Sequence, residues 1–357
     1  MTDTHAVRTR TRASRTRRAA PVLPEPSHES STPAAGGPAT DFDIAAELLA
    51  QAADIVLIAH IHPDADALGS AMALGMGLAR RGKQVAVSFA EPSEVPESLR
   101  ALPGGHLVVS PADLPGHPDL VVSLDVGSVE RLGSLAVVLE SAKTSLVIDH
   151  HASNTRFGQF NLIDASAEAT VVLVAKLLDR LGIPIDRQIA ENLYAGLATD
   201  TSHFRHADSE AHLLAARLID AGVRPPDVMA PITESHPFGW LSMLSDVLGS
   251  AVLDADAAHG AGLVYSVIDD ETRAGLRPEE LDSVIDIMKT AQEADVAAVL
   301  KQTDADSWQV SLRSRGPINV AAAAAALGGG GHVRSAGFTH HGDPQLAVDA
   351  LREVLDR

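Results

Sequence analysis

The chain has 357 residues, 45% of them apolar, which is enough for one large or two medium domains. Its 47 acidic side chains outnumber 28 basic ones, a formal net charge of −19, which argues against binding long duplex nucleic acid, because that needs a basic footprint. With no cysteine, disulfides, thiolate metal sites and a cysteine nucleophile are excluded, and zinc is disfavoured.

Residues 1–40 are rich in Arg, Ala, Pro, Ser and Thr and lack apolar periodicity, so a disordered basic tail is expected. Arg8, Arg10, Arg12, Arg15, Arg17 and Arg18 read as a solvated charge run, with a nucleic-acid or partner contact as the sharper alternative. No apolar run reaches membrane-spanning length and no apolar signal core stands near the start. The expectation is a cytoplasmic protein without membrane association.

Over 41–165 helix and strand patterns alternate. The expected helices are 43–53, 66–81 and 129–141; the expected strands are 54–59, 84–89, 119–124 and 145–148. Nearly continuous apolar strands separated by helices predict an α/β fold, a parallel sheet covered by helices on both faces. Residues 167–250 read as mostly helical, with helices at 170–181, 187–198, 209–221 and 238–248 and a break at 222–226. A second, smaller α/β pattern follows, with strands at 263–268, 296–302 and 308–312 and helices at 321–327 and 344–355.

Four short blocks carry the chemistry, each behind an apolar run. They are HIHPDADALGS with His60, Asp64 and Asp66, VVSLDVGS with Asp125, SLVIDHH with His150 and His151, and GLATDTSHF with Asp200. In open α/β sheets, ligands bind beyond the carboxyl ends of the strands, where His60, Asp125 and Asp149 would fall. Pro63 disfavours helix at His62, so Asp64 and Asp66 would stand at the entry to the next helix, where one of them also suits a cap. Taken singly, Asp125 reads as a turn residue and Asp200 as a helix-end residue. Together the four carboxylates need cations, since like charges at close range raise one another's pKa. A histidine ligand would need an acceptor behind it, which Asp149 can supply. Oxygen ligands with two imidazoles suit Mn²⁺, with Mg²⁺ or Co²⁺ as substitutes. Downstream, GGGGH (328–332) reads as a glycine loop able to cradle phosphate, with His332 as a donor, and Arg313 and Arg315 nearby suit an anion.

These blocks, with Asn154 following the two histidines and with Asn319 and Ala336-Gly337 in the last third, resemble the DHH phosphoesterases. The resemblance spans roughly 45–345 and is closest to short two-domain enzymes of the nanoRNase and 3′-phosphoadenosine-5′-phosphate phosphatase type. It implies a DHH metal-binding catalytic domain over 41–225, a helical connector over 226–258 and a DHH-associated substrate-binding domain over 259–357. It implies two Mn²⁺ ions, one held by His60, Asp64 and Asp125, the other by Asp66, Asp125, His150 and Asp200. Asp125 and His151 would be catalytic, with His151 on the scissile phosphate. Asn154, Arg313, Ser314, Asn319, Gly330 and His332 would bind substrate. The implied activity is Mn-dependent hydrolysis of short oligoribonucleotides and of phosphoadenosine phosphate, extending to cyclic di-AMP or its linear product, by a homodimer. The alternatives are a longer single-strand exonuclease, a pyrophosphatase, or a non-catalytic nucleotide-binding regulator. The family usually has glycine where this chain has Ser202, which bears on substrate size.

Overall fold

The computed structural model describes residues 40–357 apart from 274 and 278. The basic tail expected over 1–40 falls, but for Thr40, outside the described residues.

Strands β1 (Asp54–Ile58), β2 (Gln84–Ser88), β3 (Leu120–Leu124), β4 (Ser145–Asp149) and β5 (Phe160–Ile163) form a parallel sheet in the order β2-β1-β3-β4-β5. Alternate residues of β1 face opposite cores: Ile55 and Leu57 pack into one, Val56 and Ile58 into the other. Burial on both faces is why these strands read as unbroken apolar runs rather than alternating ones.

The helices are α1 (Asp41–Gln51), α2 (Ala65–Arg80), α3 (Ala136–Glu140), α4 (Thr170–Arg180), α5 (Arg187–Asp200), α6 (Ser209–Asp220), α7 (Pro225–Thr233) and α8 (Gly239–Gly249). Helix α2 is buried from Ala65 to Leu78 on every side, as a helix of small and apolar residues must be. Its contact with α5 is close because two glycines leave room. A Cβ on Gly69 would stand 2.8 Å from the Asn192 carbonyl oxygen, and one on Gly196 would stand 2.9 Å from the Asp66 Cα.

The second sheet has the order β10-β11-β9-β8-β7-β6, built from β6 (Val252–Asp254), β7 (Leu263–Ile268), β8 (Val296–Asp304), β9 (Ser307–Ser314), β10 (Gly330–His332) and β11 (Ser335–His341). Only β7 and β8 pair in parallel. Helices Val320–Ala326 and Pro344–Leu355 cover one face. Helix α8 and the helix Val284–Met288 cover the other.

Three local expectations are corrected. The helix expected over 129–141 is a 3-10 segment (Val129–Leu135) followed by the short α3, because Gly133 at φ 56° breaks the helical path. The break expected at 222–226 is shorter: residues 221–224 separate α6 from α7, and Pro225 and Pro226 already take the first helical positions of α7, where a missing N–H costs nothing. The glycine run is not an open loop: Gly330–His332 is strand β10, paired with β11. A Cβ on Gly329 would meet the Gly337 carbonyl oxygen at 2.1 Å, and one on Gly331 would meet the Ala336 Cα at 2.6 Å. These glycines are needed first for strand-to-strand approach. No helix among the described residues is long and apolar enough to cross a membrane.

Candidate metal centre

Strand order creates the cleft. From β1 the sheet grows toward β2 on one side and toward β3 on the other, so the loops leaving β1 and β3 diverge and open a crevice between them. His60 stands on the loop after β1, Asp125 directly follows β3, and His150 directly follows β4. Asp125 has a left-handed backbone, φ 58°, a conformation that Asp tolerates better than most side chains.

The carboxylate of Asp125 is shared. Its Oδ2 lies 3.7 Å from His60 Nε2, and its Oδ1 lies 3.5 Å from His150 Nε2. On the first side, Asp64 Oδ2 is 3.7 Å from the same His60 nitrogen. The other Asp64 oxygen caps α2, accepting from the N–H groups of Asp66 and Ala67 at 3.0 Å each. Capping and convergence therefore use different oxygens of one residue. On the second side, Asp66 Oδ2 lies 3.9 Å and Asp200 Oδ2 3.2 Å from His150 Nε2. His60, Asp64 and Asp125 form one compact donor group, and Asp66, Asp125 and His150 another. All six residues expected from the four sequence blocks thus lie around one cleft.

The surrounding hydrogen bonds hold these groups. Asp66 is fully buried and accepts from the first N–H groups of α4, Thr170 at 2.6 Å and Val171 at 2.9 Å, where the helix dipole favours an anion. The Thr170 hydroxyl donates to Asp125 Oδ1 at 2.9 Å. His150 Nδ1 lies 3.1 Å from the Ala167 carbonyl, which can only accept, so Nδ1 carries a proton and Nε2 is the ring nitrogen that faces the carboxylates. Asp149 serves the other histidine: its Oδ1 is 2.7 Å from His151 Nδ1. The acceptor expected for a histidine ligand is therefore a main-chain carbonyl at His150, and Asp149 orients His151.

The electrostatics ask for positive charge. Burial, then the charges of Asp125 and Asp200, push the pKa of Asp66 well above the usual carboxylate range. Burial, with Asp64 and Asp125, carries Asp200 to about 6. Burial opposes a charged His150, yet Asp200, Asp125 and Asp66 prevail and hold it up at about 11. Buried His150 Nε2 meets no acceptor in hydrogen-bonding geometry. An unpaired buried nitrogen ringed by carboxylate oxygens is the arrangement a divalent cation would satisfy. The residues present therefore fit a metal in each donor group.

The expected substrate residues divide. His332, on β10, stacks on His151 with ring centroids 4.4 Å apart and lies 4.9 Å from the His150 ring. Burial and the charges of His151 and His150 pull its pKa down to about 4. Arg313 shares a row with it, since His332 pairs with Ser335 and Ser335 with Arg313; two strand spacings put them roughly 10 Å apart on one face. Gly330 faces open space. Asn319 caps the helix Val320–Ala326, its side-chain oxygen accepting from Ala322 N–H. Ser314 is buried and donates to the Gly316 carbonyl. The Asn154 amide donates to the Val126 carbonyl at 2.9 Å and to Asp149 Oδ2 at 2.6 Å, while its oxygen accepts from Arg156 N–H. The structure thus ties Asn154 and Ser314 to the protein itself. Ser202, His203 and Phe204 are all left-handed, at φ 50°, 59° and 64°, the backbone region that glycine adopts without strain. Thr170 and Arg131 have places here that the sequence reading missed. Thr170 gave a weak signal, as a polar residue opening an apolar helix.

The chain is similar to known proteins over most of its length. Residues 54–197 match the DHH family, N-terminal domain, and residues 260–357 match the DHHA1 domain. The chain is 31% identical to the bifunctional oligoribonuclease and PAP phosphatase NrnA of Thermus thermophilus, over 88% of this chain and 94% of that protein. Its fold is similar to that of an exopolyphosphatase-related protein from Bacteroides fragilis (TM-score 0.78, 22% identity, 88% of this chain and 95% of that one). It is also similar to RecJ of Thermus thermophilus in complex with Mn²⁺ (TM-score 0.52, 19% identity, 91% of this chain and 55% of that one).

Proposed function

The chain belongs to the DHH family and carries a DHHA1 domain, and from that premise we propose that it is a metal-dependent phosphohydrolase of short oligoribonucleotides and 3′-phosphoadenosine-5′-phosphate. Residues 41–225 form the catalytic domain, 226–258 the connector and 259–357 the substrate domain. The observation that carries this reading is the sharing of Asp125 between two imidazoles through its two oxygens.

His60, Asp64 and Asp125 would hold one Mn²⁺, and Asp66, Asp125, His150 and Asp200 the other. When bound, the ions polarise a phosphoryl group and acidify water at neutral pH. Asp149 anchors Nδ1–H of His151. Burial opposes charge on that ring, but Asp149 and Asp125 raise its pKa, which favours a proton on Nε2 as well. It donates to a phosphoryl oxygen and can pass that proton to the leaving oxygen. His332, stacked on His151, crowds the cleft from the second sheet, which supports a substrate of one to a few nucleotides.

The test is turnover of a diribonucleotide, phosphoadenosine phosphate, cyclic di-AMP and pyrophosphate, side by side with Mn²⁺. The first two should be hydrolysed. Hydrolysis of pyrophosphate alone, or of none, would refute the assignment.

A further inference from the structure

Arg131 brings a guanidinium to the edge of the first donor group. It belongs to the 3-10 segment that follows β3, and its main-chain carbonyl accepts from Ile61 N–H at 2.9 Å, tying that segment to the loop of His60. Its side chain is exposed, yet Nη2 lies 3.1 Å from His60 Nδ1. Among the described residues, the ring nitrogen is its side-chain partner, and no carboxylate pairs with it.

That contact conflicts with a second one. His60 Nδ1 also lies 2.7 Å from the Ile61 carbonyl, which can only accept. If Nδ1 carries the proton, it donates to Ile61 and the guanidinium has no acceptor there. If Nδ1 is bare, it accepts from Arg131, and the proton on Nε2 points at Asp64 and Asp125. Only the first tautomer presents an Nε2 lone pair to a cation. Metal in the first donor group and the Arg131–His60 hydrogen bond are therefore mutually exclusive.

We propose that Arg131 is a substrate-binding residue that takes a phosphate oxygen at the edge of the first donor group, where its exposed guanidinium meets no carboxylate among the described residues. This rests on the phosphohydrolase reading above. A guanidinium is permanently charged and offers paired N–H donors that match a phosphate. In a chain with a net charge of −19, an arginine without a carboxylate partner beside a phosphoryl-transfer cleft has an evident ligand class.

Arg131→Ala and Arg131→Lys test this, because an exposed side chain can be changed without disturbing the core. Mn²⁺ affinity and inorganic phosphate binding to the Mn²⁺-loaded protein would be measured by calorimetry, and KM and kcat on a diribonucleotide by product release. Arg131→Ala should weaken phosphate binding and raise KM roughly ten- to hundredfold, the worth of a charged hydrogen bond. Mn²⁺ should bind as tightly as in wild type or tighter, and Lys should recover part of the KM. Unchanged phosphate affinity, or Mn²⁺ affinity lost in parallel, would overturn the proposal; the second result would make Arg131 a buttress of His60. A wild-type protein that leaves the diribonucleotide intact removes the phosphohydrolase reading, while phosphate calorimetry still decides Arg131.

Discussion

His332 stacks on His151 across the cleft, their ring planes 24° apart. One ring comes from the second sheet, the other from the loop after β4. Because His332 is held neutral by burial and by the charges of His151 and His150, it supplies contact and one donor rather than charge. Replacing it with Ala should lower kcat/KM on a diribonucleotide by roughly 10–100-fold, the worth of one hydrogen bond plus stacking. Urea-unfolding stability should change little. Steady-state kinetics beside urea melts would check both, and an unaltered kcat/KM would remove His332 from the site.

Asp125 is the residue whose loss should be felt on both sides. Asn tolerates the left-handed backbone at this position, so Asp125→Asn keeps the turn while removing the shared charge. Both Mn²⁺ binding events should disappear from a calorimetric titration, and turnover should fall by at least about a thousandfold. Retention of tight binding at either site would contradict the shared geometry.

Stability should depend on pH with a sign that metal changes. His150 is raised from 6.5 to about 11 when folded, burial opposing and Asp200, Asp125 and Asp66 prevailing. His60 and His151 shift the same way. Above pH 6.5 the unfolded chain has released the His150 proton while the folded chain keeps it. Metal-free stability must therefore fall as pH rises toward the folded pKa. With saturating Mn²⁺ the ligands must be deprotonated, so the metal's stabilisation should grow over the same range. Thermal melts with chelator and with Mn²⁺ would show opposite slopes; a metal-free melting temperature that climbs above pH 6.5 would be incompatible with the cluster.

Asn154 bridges Asp149 and the Val126 carbonyl, so its replacement by Ala should act through His151. We expect kcat to fall with KM nearly constant, and a stability loss of about 1–2 kcal/mol from the unmet partners. Urea melts and a KM-against-kcat split would distinguish this from direct substrate contact, which would raise KM.

Much of the site was legible because each ligand candidate stands directly behind an apolar run: His60 after β1, Asp125 after β3, His150 at the end of β4. The parallel sheet was legible for the same reason, since burial on both faces leaves an unbroken apolar signature. What was not legible had weak local signals. Strand β11 (SAGFTHH) dilutes its alternation with Gly and His, β5 and β6 are short edge strands, and α7 opens on prolines that also read as a break. Asn154 and Ser314 carry polar groups whose partners are set by chain segments distant or looping back, which no spacing reveals.

Residue chemistry and local period, both written along the chain, determined the α/β class, the carboxyl-end placement of the ligands and the demand for cations. Tertiary structure alone decided which oxygen of Asp125 faces which imidazole, that α4 offers its first N–H groups to Asp66, and that β10 carries His332 onto His151. Those outcomes depend on strand order and on backbone approach at Gly69 and Gly196. They are long-range packing relations in which the participating residues are neighbours only after folding.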